Sequence, residues 1–199
     1  IYRILTHTGL VDVTEDHSLI LETGEYIKPN ELKEDSILMH KFPSDNLNII
    51  NYINTKEEAK IMGFFVGNGT CDIFKYEYGT KYSWVLSNQS LDILNDCIEC
   101  LKIAEPNLKF KILKTMNSTS VYKLIPIGNL EYIVKKYRRL FYDINKTKII
   151  PNEILYATYD IRKAFLEGYY IADDNYKENI KFDCSRIDTK NQTFAQHLY

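Results

Sequence analysis

The chain has 199 residues, of which 45% are hydrophobic and 13% aromatic, enough for the core of one large domain or two small ones. Its 25 basic and 27 acidic residues give a net charge of -2, which neither indicates nor excludes a nucleic-acid partner. No apolar run reaches the length of a membrane span, and the N-terminus lacks the basic and apolar regions of a signal peptide. We therefore expect a soluble intracellular chain that is neither secreted nor bound to a membrane.

Residues 1–43 have the alternating pattern of short β-strands. The run ILTHTGLVDVT alternates around Thr8-Gly9, and LILETGEYIKP carries a Thr23-Gly24 turn between two extended runs, which predicts a hairpin. The segment that follows is typical of a linker, and Thr55 is placed to cap a helix that opens with KEE.

From residue 56 the pattern predicts helices and strands in the order αββαββα. The predicted bounds are 56–68, 72–78, 81–87, 90–104, 108–115, 119–127 and 129–142. Ser90 would cap the second helix, and turns are predicted at Tyr78-Gly79-Thr80 and Asn117-Ser118. A helix at 158–173 then opens a further copy, with a strand and an unfinished helix after it.

Cys97 and Cys100 form a lone C-x-x-C within LDILNDCIECLKI. No second pair and no histidine cluster completes the pattern of a zinc site. Because the apolar residues around the two cysteines recur at helical spacing, we expect buried, reduced thiols on a helix.

Two of the predicted helices share a layout of small residues. In IMGFFVGNG, Gly63 and Gly67 are four residues apart, and so are Gly168 and Ala172 in EGYYIAD. A glycine inside a helix costs about 1 kcal/mol relative to alanine, so its presence needs a reason. Close approach of two helix backbones supplies one, since small residues permit it. We predict that these four residues form the contact between the two helices.

A polar residue follows the second small residue in both helices: Asn68 in the first and Asp173 in the second. If the helices pair in parallel, the two side chains come together at their C-terminal ends. Two carboxylates in that place could hold a divalent metal against a phosphodiester. The alternative is a pair of glycine-bearing core helices with polar ends, but the recurrence of the same spacing favours a shared site.

These two helices resemble the signature helices of LAGLIDADG (dodecapeptide) homing endonucleases of the monomeric, two-repeat kind. The resemblance implies a site-specific DNA endonuclease that cuts double-stranded DNA with Mg²⁺, with Asp173 and Asn68 as catalytic residues and metal ligands. KIIP at 148–151 resembles the block between the repeats, in which a lysine serves catalysis. Lys148 would then stabilise charge or polarise water near the scissile phosphate; the alternative is a surface lysine before Pro151.

The run GLVDVTEDHSLI at 9–20 is similar to the intein block that carries T-x-x-H, here Thr14 and His17. The resemblance implies that these two side chains polarise the scissile peptide for the first acyl shift of splicing, whereas a lone histidine near a strand end is otherwise a structural residue. Together the resemblances imply the interior of an intein in a family-B DNA polymerase of a large DNA virus. Its partners would be the flanking polymerase exteins, and its location the host cytoplasm or nucleus.

Three positions depart from the family patterns. Ile1 is not the nucleophile that opens an intein and no His-Asn pair ends the chain, so we expect a segment truncated at both ends that does not splice alone. Asn68 keeps an oxygen ligand but lacks the charge of an acid, so cleavage should be impaired. Asp174 stands where the family has glycine and could either bind metal or repel phosphate.

We therefore predict an α+β chain with a partial intein splicing (Hint) segment and linker at 1–50 and a LAGLIDADG domain at 51–199. Repeat one spans 56–142, and an incomplete repeat two spans 158–199. Four lysines of the predicted strands would contact DNA: Lys109, Lys111, Lys114 and Lys123. Two alternatives stay open, a maturase-like nucleic-acid-binding module without nuclease activity and a purely structural insertion.

Overall fold

The structure is a computed structural model that describes residues 1–6, 9–39, 53, 55–115 and 120–172. It divides into two compact units, of which the first holds the described residues up to 39 and the second those from 53 onward. The predicted strand and helix after residue 173, and the turn at Asn117-Ser118, lie outside the described residues.

The first unit is built from two short antiparallel hairpins. Strand β1 (Tyr2–Thr6) pairs with β2 (Gly9–Val13), and β3 (Leu19–Ile20) pairs with β4 (Tyr26–Ile27). Gly24 lies in the turn between β3 and β4 with a φ of 88°, a left-handed conformation that favours glycine. A 3-10 turn at Pro29–Glu31 follows. The strand character and the hairpin at Thr23-Gly24 agree with the sequence prediction.

The second unit carries five helices and four strands in its described part. The elements are α1 (Lys56–Asn68), β5 (Gly69–Tyr76), β6 (Gly79–Asn88), α2 (Leu91–Ala104), β7 (Lys109–Lys114), β8 (Tyr122–Ile127), α3 (Glu131–Phe141), α4 (Asn152–Leu155) and α5 (Tyr159–Ala172). The predicted order αββαββα is confirmed for 56–141, and so is the mixed α and β fold class.

Side-chain caps explain where α1 and α2 begin. The Thr55 hydroxyl accepts a hydrogen bond from the Glu58 backbone N–H at 3.1 Å, and the Ser90 hydroxyl accepts one from Ile93 at 3.4 Å. Each bond satisfies a backbone donor that a helix N-terminus otherwise leaves without a partner. Both predicted caps are therefore confirmed.

The four strands form one antiparallel sheet in the order β5-β6-β8-β7. One face is buried through Trp84, Leu86 and Leu124, which alternate with more exposed residues. The Phe65 ring of α1 lies against Trp84 with centroids 5.9 Å apart and against Tyr137 of α3 at 4.6 Å. This aromatic cluster anchors α1 to the sheet and α3.

Several predicted boundaries are wrong. The β5–β6 hairpin turns at residues 77 and 78, and Gly79 already pairs with Tyr76 as the first residue of β6. The third helix is shorter than 129–142, and α4, immediately after Pro151, was not predicted. At the tip of the β5–β6 hairpin, the tyrosines were predicted as strand residues because of their β-propensity. Tyr78 is instead 90% exposed, and its ring stacks on that of Tyr76 with centroids 5.6 Å apart.

The cysteines partly follow the prediction. Cys97 is buried on α2 as a free thiol, and burial raises its pKa to about 12. Cys100 is also a free thiol but only half-buried. Neither thiol is activated as a nucleophile.

Candidate functional site

Helices α1 and α5 lie side by side and run parallel. The Lys56 ammonium at the start of α1 is 2.8 Å from the Asp160 carboxylate at the start of α5. At the other ends, the Asn68 side-chain amide donates a hydrogen bond to the backbone carbonyl of Ala172. The two C-terminal ends are therefore brought together, which is the arrangement that could form a shared site.

Glycines allow the two backbones to touch. A Cβ on Gly63 would lie 1.8 Å from the Phe165 carbonyl oxygen, and a Cβ on Gly168 would lie 1.9 Å from the Lys60 carbonyl oxygen. Real side chains do not tolerate such distances, so alanine at either position would force the helices apart.

The contact continues to the C-terminal ends of the helices. A Cβ on Gly67 would lie 2.6 Å from the Cβ of Ala172, and its next neighbour would be the Tyr169 carbonyl oxygen at 3.6 Å. All four small residues singled out in the sequence therefore lie along one close contact. Its final pair sits directly beside Asn68.

Asn68 makes a contact that an acid could not make. Its side-chain nitrogen is a donor, and the Ala172 carbonyl is an acceptor. An ionised carboxylate has acceptors only, so an aspartate would place negative oxygen against the carbonyl oxygen. Asp173 and Asp174, the acids predicted at the end of the second helix, lie outside the described residues.

Lys148 lies against the end of α1. Its ammonium donates to the backbone carbonyls of Phe65 at 2.9 Å, Val66 at 2.9 Å and Gly69 at 2.6 Å. Burial lowers the pKa of Lys148 to about 8. The side chain is therefore part of the packed structure, which contradicts the alternative of a plain surface lysine.

Two further residues support this end of the site, and the sequence pattern did not single them out. The Tyr142 hydroxyl accepts a hydrogen bond from the Cys71 backbone N–H at 3.4 Å. The Arg138 guanidinium lies over the Tyr142 ring, 4.6 Å from its centroid. In the sequence, a basic residue one turn before an aromatic residue is too common a pattern to indicate such a contact.

The described residues do not fit a divalent metal by themselves. No group of three or more His, Cys, Asp or Glu among them could hold an ion. The α1 side offers the neutral oxygen of Asn68, while the neighbouring carbonyls already bind the Lys148 ammonium and the Ala172 carbonyl already accepts from Asn68. Mg²⁺ usually binds through one or two carboxylates, whereas Asn68 offers a neutral amide oxygen.

The exposed face of the sheet carries most of the lysines predicted to contact DNA. Lys109 and Lys111 alternate with the inward Phe110, and Lys123 is paired with Leu113, so all three project to the same face. Lys114 is paired with Tyr122 and lies on the opposite face of the strand. Lys81 on β6 shares the exposed face through its pairing with Phe74, although it was not singled out in the sequence.

In the first unit, Thr14 and His17 close an exposed turn after β2. The His17 backbone N–H donates to the Thr14 carbonyl at 3.1 Å. A hydrogen bond from the Thr14 hydroxyl lowers the pKa of the Asp16 carboxyl. The turn leaves both side chains exposed to solvent.

Within the part of the chain that the structure describes, none of the helices has the length and apolar character needed to cross a bilayer. A scan against protein-family models found no match. The chain is 49% identical, over all its residues, to a DNA polymerase of Acanthamoeba polyphaga mimivirus, of which it spans only 11%.

Solved structures of the homing endonuclease I-DmoI resemble the fold. Mesophilic variants of that enzyme align at 18% identity and a TM-score of 0.43, covering 59% of this chain and 60% of theirs. A complex of I-DmoI with DNA and Ca aligns at the same identity and TM-score, covering 59% of this chain and 56% of that one. The match to a viral DNA polymerase agrees with the resemblance to viral polymerase sequences predicted above.

Proposed function

We propose that the chain is an internal segment of a viral DNA polymerase, the interior of an intein whose second unit is a LAGLIDADG module that binds duplex DNA. The match to a polymerase over 11% of its length supports an embedded segment. In this proposal the module acts as a monomer inside the infected cell, since both helices of its central pair belong to one chain. Repeat one would span 56–142 and repeat two would begin at 158.

The observation that carries the proposal is the parallel contact of α1 and α5 through Gly63 and Gly168, which brings residue 68 beside residue 172. A core pair of helices could pack through larger side chains and would not need backbone carbonyl oxygens so close to a glycine that no Cβ fits there. The exposed face of the sheet carries the lysines that would contact phosphates, and such contacts position a duplex without reading its sequence.

Cleavage of DNA by this chain would need a divalent ion at the paired C-terminal ends of α1 and α5. A divalent ion, Mg²⁺ by the family resemblance, would supply Lewis-acid chemistry, and Asp173 would be its charged ligand. Asn68 would contribute only a neutral oxygen, and its nitrogen is engaged with Ala172. We propose that the nuclease activity is impaired at this position.

The hydrogen bond of Asn68 also favours the second candidate function, a nucleic-acid-binding module without nuclease activity. An amide that bridges two helices stabilises the fold without any ion, and binding through the lysine face needs no catalysis. In the first unit we propose a partial splicing segment in which Thr14 and His17 would act on a peptide bond supplied by the flanking polymerase segments of the precursor.

The test is a cleavage assay on DNA that joins the two host sequences flanking the insertion. The full-length intein, its Asn68→Asp variant and its Asn68→Ala variant are each assayed with Mg²⁺ and with a chelator. Cleavage by the Asp variant alone supports a nuclease that is impaired at residue 68. Binding without cleavage by all three supports the binding module. Cleavage by the Ala variant at the rate of the Asp variant would contradict the role given to this residue.

Binding is measured in parallel as a function of salt. Removing Lys109, Lys111 and Lys123 together should lower the slope of log K against log salt by about 2 to 3, since each phosphate contact in B-DNA contributes about 0.9. Lys114→Ala should change the slope less, because Lys114 lies on the other face of β7. A natural protein whose affinity does not depend on salt would favour a purely structural insertion.

A further inference from the structure

The end of α1 is closed in an unusual way. The chain passes directly from Asn68 into β5, and Gly69 is extended, with φ of -103° and ψ of 158°. Helices often end on a residue in the left-handed conformation that supplies donors to the last carbonyls, and α1 has none. The Gly69 N–H donates to the Phe65 carbonyl, and the remaining carbonyls of the last turn need partners from elsewhere.

Lys148 supplies one of these partners, for the Val66 carbonyl, and also donates to the carbonyls of Phe65 and Gly69. An ammonium has three N–H donors, and those of Lys148 reach three acceptors, the carbonyls of Phe65, Val66 and Gly69. A cation at the C-terminal end of a helix is also favoured by the helix dipole. The Phe65 ring lies 5.2 Å from the same nitrogen, so the ammonium is enclosed by backbone oxygens and an aromatic face.

The backbone of Lys148 is itself fixed. Lys148 pairs with Tyr142 in a β-bridge, and the Ile149 N–H donates to the Phe141 carbonyl at 3.0 Å. The lysine therefore connects the end of α3 to the end of α1. A rigid support of this kind is expected for a side chain that holds another element in place.

We infer that Lys148 is a positioning residue: it fixes the last turn of α1 and thereby orients the Asn68 side chain toward Ala172. Its acceptors Val66 and Gly69 lie on either side of Asn68 in the chain, so movement of these carbonyls would move residue 68 with them. With all three donors occupied, the ammonium has none left for a phosphate or a water molecule. This role differs from the charge-stabilising role that the family resemblance implies, and it holds whether or not DNA is the ligand.

The experiment uses NMR spectra of the full chain without DNA at pH 6. In Lys148→Met, amide hydrogen exchange at Gly69 should accelerate about tenfold or more, because the helix end loses its cap. The side-chain amide signal of Asn68 should move toward that of a solvated asparagine. Lys148→Arg keeps a cation with several donors and should restore part of both signals. Lys163→Met, at an exposed lysine of α5, is the control and should change neither.

An Asn68 side-chain signal that stays in place in Lys148→Met overturns the inference, even if the protein loses stability. If Lys148→Met does not fold, the inference is tested on the natural protein instead. An ammonium with three fixed partners gives a slowly exchanging Nζ–H signal for Lys148 in the cold, and its absence also overturns the inference. Both readouts are independent of DNA binding, so failure of the proposed function leaves them unchanged.

Discussion

Two half-buried lysines hold opposite ends of α1 and do so with different partners. At the first turn, the Lys136 ammonium lies 2.8 Å from the Glu58 carboxylate and 2.7 Å from that of Glu105, which ends α2. At the last turn, the Lys148 ammonium contacts three backbone carbonyls and, among the described residues, no carboxylate.

The pKa values of the two lysines shift in opposite directions. Burial acts to lower the pKa of Lys136, but the hydrogen bonds and charges of Glu105 and Glu58 outweigh it, and the net shift is upward. Burial lowers the pKa of Lys148 to about 8, since no carboxylate compensates. At the first turn of α1 the lysine is paired with two carboxylates, whereas at the last turn the ammonium has no carboxylate partner among the described residues.

Breaking the ion pairs of Lys136 should have the largest effect. Lys136→Met leaves the buried Glu105 carboxylate without this cation, and removal of one partner of a buried ion pair costs about 3–5 kcal/mol. The measurement is urea unfolding followed by the fluorescence of Trp84, the single tryptophan of the chain and part of the second unit. Lys135→Met is the matched control, since Lys135 is the next residue and pairs with Glu131 in the open. Equal midpoints for the two variants would contradict the comparison.

The C-terminal end of α1 depends instead on close contact with α5. Gly67→Ala places a Cβ 2.6 Å from that of Ala172 and should destabilise the second unit by about 1–3 kcal/mol. Adding Ala172→Gly removes the obstructing atom and leaves the Tyr169 carbonyl at 3.6 Å, an ordinary contact. The helix propensities of the exchanged residues nearly cancel, so the double variant should regain most of the loss. A double variant less stable than Gly67→Ala would show that the helices do not meet at this pair.

The pH dependence of stability should separate the two lysines. The pKa of Lys148 is about 8 in the folded protein and 10.5 ordinarily, so between these values the unfolded chain binds more protons and stability rises with pH. The raised pKa of Lys136 contributes stability that persists up to its ordinary value, 10.5, and is lost only above it.

Urea unfolding at pH 7 and pH 10 tests this difference. The natural protein should gain about 2 kcal/mol relative to Lys148→Met over that range, less than the full shift because part of the side chain meets solvent. Cysteine and tyrosine groups titrate in both proteins and cancel. A constant difference across the range would contradict the lowered pKa.

Sequence patterns predicted the elements whose signals are local. The bounds of α1 followed from the Thr55 cap and the apolar spacing, and the close contact of α1 with α5 was expected from Gly63 and Gly168. Both signals depend on residues within one or two turns, where side chains act directly on their own helix.

Features that depend on distant pairing were not predictable. The partners of Lys148 are backbone carbonyls 79 to 83 residues away, and a carbonyl carries no sequence signal. Alternation within β7 sets Lys114 opposite Lys109 and Lys111, but which of the two faces is exposed depends on how the sheet packs against the helices. The hydrogen bond from Asn68 to Ala172 forms only when the two helices are packed together. From the sequence alone, Asn68 could therefore be interpreted only as the replacement of a catalytic acid.

The smallest expected effect concerns the charge at residue 68 itself. Asn68→Ala removes the hydrogen bond to Ala172 and should cost about 1 kcal/mol in the unfolding experiment. Asn68→Asp removes the same donor and adds a carboxylate within one turn of the carbonyls that bind Lys148. If that end carries an uncompensated positive charge, the new carboxylate should raise the pKa of Lys148 and recover part of the loss at pH 7, so that Asp is the more stable of the two variants. An Asp variant less stable than Ala would mean that repulsion from the Ala172 carbonyl outweighs the lysine, and that the amide is needed for its donor.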